Sequence, residues 1–359
     1  MALRPAAALA LLSVAGAAPW THGWSAGSAM LWADFGTPEL LDDATAAQIA
    51  SLYAIVSLEK CFGQAAGLVT EDAFEVTAAQ LKRLNPAIKT LFYFHMMVDI
   101  SGPGFPPCYA AGRTWLNRTD LWLRNDTGAP IMNGPFVQHD LTLPDAQRYM
   151  VDTVVGVLRR APALFDGVFA DGALQSPYDG LNQPHVDALN AAVNEVGLME
   201  SEALNAASGS GGGVQVIGNG LAQYHQANPG FPADDGFCMV AYFDGVCVEH
   251  FAAFEMTNTQ NCSLVPEMMR DMLARIAATA ALNKTVLIKG WPGPITLPID
   301  TLGPEWPASC GAAAGDSREA RGASALEWFT PSFALFLLAV EPTVFWSYSW
   351  WYSLDDGYL

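Results

Sequence analysis

Two acids in this 359-residue chain end short apolar runs after the same lead-in. Asp166-Gly167-Val168-Phe169-Ala170-Asp171 and Asp244-Gly245-Val246-Cys247-Val248-Glu249 each open on Asp-Gly and place a carboxylate at the run's far end. An ionised acid flanked by apolar residues is expensive to bury, so it needs a partner or a task. Paired carboxylates about a glycosidic bond are what glycoside hydrolysis uses: one protonates the leaving oxygen, and the other attacks the anomeric carbon or activates water. We therefore read Asp171 as nucleophile or base and Glu249 as general acid, with a capping or salt-bridged acid as the competing reading of each.

Other polar residues close neighbouring runs. Asp34, Glu59 with Lys60 beside it, Tyr93, His95, Asn219, Lys289 and Tyr348 are candidate hydroxyl-binding groups for a sugar, although each also fits a satisfied structural residue. Trp291 follows one run, and Trp346, Trp350, Trp351 and Tyr352 surround the last; their rings suit sugar stacking and, equally, core packing. Asp140, next to His139 and ahead of Pro144, either extends the site or orders its loop.

These residues need a scaffold that brings run ends together. Eight short runs, 29–35, 53–58, 89–97, 165–171, 214–219, 245–249, 285–289 and 343–348, are rich in β-branched, Leu or aromatic residues. Helical patterns lie between them over 45–52, 73–84, 145–160, 185–206, 266–282 and 325–340, with Asn85-Pro86 stopping one and Pro144 starting another. Between the fifth and sixth runs only 221–226 reads as a helical turn, before Asn228-Pro229-Gly230. The βαβα rhythm predicts a parallel sheet under helices, and eight strands close a (β/α)8 TIM barrel. A doubly wound open sheet is disfavoured because Phe35-Gly36-Thr37-Pro38 is not a phosphate loop. The connections leaving runs three, five, six and seven are the long ones, so the chemistry belongs at the C-terminal rim, where the two acids end strands 4 and 6.

Composition bounds the rest. With 36 acidic against 17 basic residues and a net charge of −19, nucleic acid and anionic membrane are poor partners. Residues 1–18 carry Arg4, an Ala/Leu run and a small-residue end, the pattern of a secretory signal, which leaves 19–359 as one barrel domain. Sequons at Asn117, Asn125, Asn261 and Asn283 agree with a secreted glycoprotein. The apolar stretch 333–340 is too short to span a bilayer, so no membrane anchor is expected. Six cysteines without CxxC spacing suggest disulfides between rim loops, Cys61 with Cys108 and Cys262 with Cys310 on grounds of neighbouring loops, among fifteen possible pairings. Six scattered histidines without HxH or HExxH argue against a metal-dependent hydrolase such as a deacetylase, and no cofactor is expected.

Several stretches together carry a family resemblance. Phe165 to Gly172, Asn219-Gly220, Asp244 to Phe251 and Lys89 to Phe94, with His139 to Thr142 and Phe336 to Tyr348, resemble hypothetical glycosyl hydrolase family fifteen across nearly the whole mature chain. The resemblance implies a (β/α)8 barrel laid out like glycosidases with acids on strands 4 and 6, such as the α-galactosidase and endo-polygalactosaminidase groups. A secreted, monomeric glycoside hydrolase acting on a poly- or oligosaccharide is the resulting expectation. A non-catalytic carbohydrate-binding barrel is the alternative.

Overall fold

Apolar runs of four to seven residues form eight parallel strands in a computed structural model that describes residues 17–22, 30–33, 39–58, 60–98, 108–115, 117–133, 136–173, 181–208, 213–221, 237–252, 257–258, 263–291 and 318–348. The strands are β1 (Met30–Ala33), β2 (Ile55–Leu58), β3 (Lys89–His95), β4 (Gly167–Asp171), β5 (Gln215–Asn219), β6 (Gly245–Phe251), β7 (Thr285–Gly290) and β8 (Val344–Tyr348). They pair in sequence order in one sheet, and β1 returns to within 8 Å of β8, so the sheet curls into a barrel. Helices α1 (Asp43–Leu52), α2 (Thr70–Leu84), α3 (Ala110–Trp115), α4 (Pro144–Arg160), α5 (Gln183–Ser208), α6 (Pro266–Ala281) and α7 (Arg318–Leu337) connect them. Every expected strand is present, as are the six expected longer helices, with ends moved by up to seven residues; of the helical turn expected over 221–226 only Leu221 lies among the described residues. The additions among the described residues are α3, 3-10 turns at Gln64–Ala66, Thr119–Leu121 and Phe237–Ala241, the last between β5 and β6, and two hairpins, Met132–Asn133 with Phe136–Val137 and Thr257–Asn258 with Ser263–Leu264.

The repeated Asp-Gly lead-in has a structural cause. Asp166 accepts from the backbone N–H of Thr90 in β3 and pairs with Lys82 and Lys89. Asp244 accepts from Val216 N in β5 and from Ser201 Oγ in α5. Each Asp therefore pins the start of its strand to the neighbour. The following glycine lets the other neighbour approach: a Cβ on Gly167 would lie 2.5 Å from Gln215 O, and one on Gly245 2.7 Å from Thr285 O. The same device fixes the register of β4 and β6, the two strands that carry the acids.

Residues 17–22 cross the floor of the barrel, starting inside the stretch read as a secretory leader. Ala17 N donates to Asp244 Oδ1, Gln215 Nε2 to Ala18 O, and Trp20 N to Thr285 Oγ1, while His22 Nε2 meets Val344 O. Residues 1–16 lie outside the described part, as do Asn261, Cys262 and Cys310 of the expected glycan and disulfide sites. Cys61 and Cys108 form a disulfide, as expected. Among the described residues no helix is long and apolar enough to cross a membrane.

Glu200, in α5, is buried with no hydrogen-bond partner for either carboxylate oxygen. Burial pushes its carboxyl up to about 8 from 4.5. The native protein thus keeps a proton that the unfolded chain releases across that window, and stability falls as pH rises through it. We expect wild-type stability in urea to drop between pH 5 and 8 at up to about 1.4 kcal/mol per unit from this group. Glu200→Gln, with no proton to lose, should flatten that part of the slope; parallel slopes would contradict the assignment.

Candidate active site

Both acids stand at the C-terminal ends of their strands. Asp171 closes β4 and is followed at once by Gly172 in left-handed backbone (φ 66), whose N–H donates to Asp171 Oδ1 at 2.8 Å. Glu249 sits on a bulge: Ile288 of β7 pairs with Val248, but Gly290 pairs with Phe251, so Glu249 and His250 together face Lys289. Bulges re-aim side chains. Here Glu249 and His250 both reach the site, with His250 Nε2 3.7 Å from Glu249 Oε1.

Asn219, the last residue of β5, joins the two acids. Its Nδ2 donates to Asp171 Oδ1 at 2.8 Å and to Glu249 Oε2 at 2.7 Å. Those oxygens are therefore no further apart than the two bonds laid end to end, about 5.5 Å. An amide nitrogen has two protons and a carboxylate none, so only this orientation of the amide satisfies both acids.

On the β3 side, Tyr93 OH donates to Asp171 Oδ2, and His95 Nε2 stands 4.0 Å from the same oxygen. His95 is the register partner of Asp171, so the two side chains leave the same face of the sheet. Burial raises the Asp171 carboxyl, but the His95 charge, hydrogen bonds from Tyr93 and Asn219, and Lys60 outweigh it and hold it below the ordinary range. Burial holds His95 itself low, despite Asp171. The N–H groups of Met97 and Val98 both donate to His95 Nδ1, so the neutral ring carries its proton on Nε2, facing the acid. At neutral pH, then, the Tyr93 and Asn219 hydrogen bonds carry the anion.

Exposure separates what a ligand can touch from what supports it. Side chains of Asp171, Glu249, His95 and His250 keep between 11% and 18% of their surface open. Tyr93, Asn219, Lys289 and Trp291 are buried, and Tyr93 and Asn219 hydrogen-bond the acids. Trp291 Nε1 donates to the backbone oxygen of Glu249, and its ring centre lies 3.9 Å from Lys289 Nζ. Burial drives the Lys289 ammonium well below its ordinary value, against the pull of Glu249.

Two other candidates are engaged by neighbouring groups. Tyr348 shares its strand face with Trp346, which stacks on Phe336 of α7, and its hydroxyl donates to Ala325 O of that helix. Asp140 Oδ1 accepts from Thr142 N and Oγ1, an Asx turn that leads into α4, so it orders its loop. Its neighbour His139 is buried with its ring 3.7 Å from Trp115, and is held neutral by burial and by His95. Asp34, Glu59, Trp350, Trp351 and Tyr352 lie outside the described residues. His250 was not among the site residues singled out from sequence. Strict strand alternation sends His250 outward, and only the bulge brings it in.

Tyr93 offers a test of this electrostatic frame. A hydrogen bond to a charged group contributes about 1.5–3 kcal/mol. Tyr93→Phe should raise the Asp171 carboxyl by about one to two units and move the acidic limb of kcat/KM to higher pH by the same amount. An unmoved limb would show that the tyrosine does not hold the anion.

Comparisons with known proteins agree with this architecture. A family model described as hypothetical glycosyl hydrolase family 15 matches residues 82–354. No curated protein sequence matches the chain. Among solved structures, the PgaB (BpsB) glycoside hydrolase domain from Bordetella bronchiseptica is similar with TM-score 0.53 and 13% identity, over 89% of this chain and 93% of that one. The polyextremophilic β-galactosidase from the Antarctic haloarchaeon Halorubrum lacusprofundi is similar with TM-score 0.55 and 10% identity, over 90% of this chain and 52% of that one, so this chain spans about half its length. At these identities the likeness establishes the shared barrel.

Proposed function

The chain belongs to hypothetical glycosyl hydrolase family 15, and from that premise we propose that it is a retaining glycoside hydrolase with Asp171 as nucleophile and Glu249 as acid and base. The observation that carries the reading is the single Asn219 amide bridging both carboxylates, which keeps their nearest oxygens within about 5.5 Å. Retaining enzymes place the groups about 5–5.5 Å apart, whereas inverting ones leave about 6.5–9.5 Å for a water. The surroundings of Asp171 keep it ionised, as an attacking group must be.

In the first step Glu249 gives its proton to the glycosidic oxygen as that bond breaks, and an Asp171 oxygen bonds to the anomeric carbon. In the second, Glu249 takes a proton from water, whose oxygen displaces Asp171 and restores the original configuration. His95 Nε2–H and the His250 ring border the same opening and supply hydrogen bonds to sugar hydroxyls. The substrate class is an O-linked poly- or oligosaccharide. The N-terminal signal pattern and the exposed sequon residues Asn117 and Asn283 favour a place in the secretory pathway or outside the cell.

A panel of nitrophenyl glycosides covering common sugars and both anomers tests the reading. We expect turnover of one sugar series, with proton NMR showing the first-formed product in the substrate's configuration. Inverted product would overturn the nucleophile. Glycan binding without turnover of any glycoside, unchanged when both carboxylates become amides, would favour a non-catalytic carbohydrate-binding barrel.

A further inference from the structure

The Cys61–Cys108 disulfide lies close to Asp171 through a short run of contacts. Cys108 is fully buried, and its segment is anchored independently: Thr70 N donates to Cys108 O, and the Glu71 carboxylate of α2 accepts from Ala110 N and Ala111 N. Tyr109, the next residue, donates its hydroxyl to the backbone oxygen of Tyr93 at 2.9 Å and packs edge-on against Phe92 and Phe94. On the other side of the bond, Cys61 adopts left-handed backbone (φ 61), a conformation unfavourable for a residue with a side chain. Lys60, immediately before it, places Nζ 5.2 Å from the centre of the Tyr93 ring. Tyr93 is thus held from its backbone by one end of the bridge and approached at its ring by the other.

We propose that the Cys61–Cys108 disulfide and Tyr109 form a clamp that positions Asp171 through Tyr93: the bridge ties the Lys60 turn to the anchored Tyr109 segment, and the two together keep the Tyr93 hydroxyl on the carboxylate. These are positioning residues, since none of them touches Asp171 directly in the contacts above. Among the described residues, the groups facing Asp171 are Tyr93 and His95 from β3, Lys60 after β2, Asn219 from β5, and Glu249 with Cys247 from β6. Of these, the clamp governs Tyr93 and Lys60, two of the groups that favour the anion from the β2–β3 side. Its loss leaves burial and the nearby Glu249 less opposed, and the Asp171 carboxyl rises.

This inference rests on Asp171 being the reacting carboxylate, but its test does not need turnover. The full-length protein labelled with carboxyl-13C aspartate, with Asp171→Asn used for assignment, reports the Asp171 titration directly, and kcat/KM against pH reports it where a glycoside is turned over. In C61S/C108S and in Tyr109→Phe we expect the Asp171 midpoint to rise by roughly half a unit to one unit, a three- to tenfold change in ionisation constant. The acidic limb should move with it. A lower melting temperature with an unmoved Asp171 midpoint in the folded variants would overturn the clamp and leave the bridge a stabilising crosslink only. If C61S/C108S does not fold, Tyr109→Phe, which keeps the bridge, decides alone: an unmoved midpoint overturns the proposal. Absence of turnover in the wild type as well would count against the glycosidase reading, while the titration would still decide the clamp.

Discussion

Asp171→Asn abolishes hydrolysis to within background while leaving the barrel folded: that is the largest effect expected of any single change. The amide matches the carboxylate in shape but cannot form the glycosyl ester, and losing a positioned catalytic group costs at least about 10³-fold in rate, or about 4 kcal/mol of barrel-mouth transition-state stabilisation. The fold should register a smaller penalty, because Asp171 accepts from Tyr93, Asn219 and Gly172 N and an amide can no longer accept from all three. Glu249→Gln should behave differently in a diagnostic way. Its loss should be about 10²- to 10⁴-fold for glycosides with basic leaving groups and much smaller for 2,4-dinitrophenyl glycosides, whose leaving group needs no proton. Steady-state rates beside circular-dichroism melting curves would check both, and an Asp171→Asn enzyme with near wild-type turnover would remove Asp171 from the mechanism.

The second large effect belongs to Asn219. Its single amide nitrogen serves both acids, so Asn219→Ala removes two hydrogen bonds to carboxyl groups at once. At about 1.5–3 kcal/mol for each such bond, a loss of about 10²-fold or more in kcat/KM is expected. The acidic limb should also rise, because the Asp171 anion loses a donor. Asn219→Asp should be worse than Asn219→Ala, since it replaces the shared donor with another acid beside the Asp171 anion. If the aspartate variant were the more active of the two, the bridging role would be wrong.

Much of this was legible in the sequence for definite reasons. Strands such as Val168-Phe169-Ala170 and Val286-Leu287-Ile288 are buried on both faces and read as continuous apolar runs, and the helices between them announce themselves by period and by Pro at the first turn of α4 and α6. The Asp-Gly repeat marked the two strands that carry the acids, although its own cause, a carboxylate pinning one neighbouring strand and a glycine admitting the other, appears only in three dimensions. Short elements such as α3 and the two hairpins carry too few residues for a periodic signal. The bulge at Glu249 and His250 leaves no local mark either, because it depends on how β7 pairs alongside. Tyr348 shows the remaining difficulty. A polar aromatic at a strand end fits the rim or the helix layer equally well, and only the contacts of Trp346, two residues earlier on the same face, reveal that it turns outward.

The central claim is that Asp171 forms a covalent bond to the sugar during turnover. Once the glycoside panel has identified the sugar, its 2-deoxy-2-fluoro glycosyl fluoride should accumulate as a glycosyl-enzyme, because the fluorine destabilises both transition states while the fluoride leaves readily in the first. Mass spectrometry of the intact protein should then show one added sugar, and peptide mapping should place it on Asp171. A label on Glu249, or time-dependent turnover of the probe with inverted product and no label anywhere, would contradict the account.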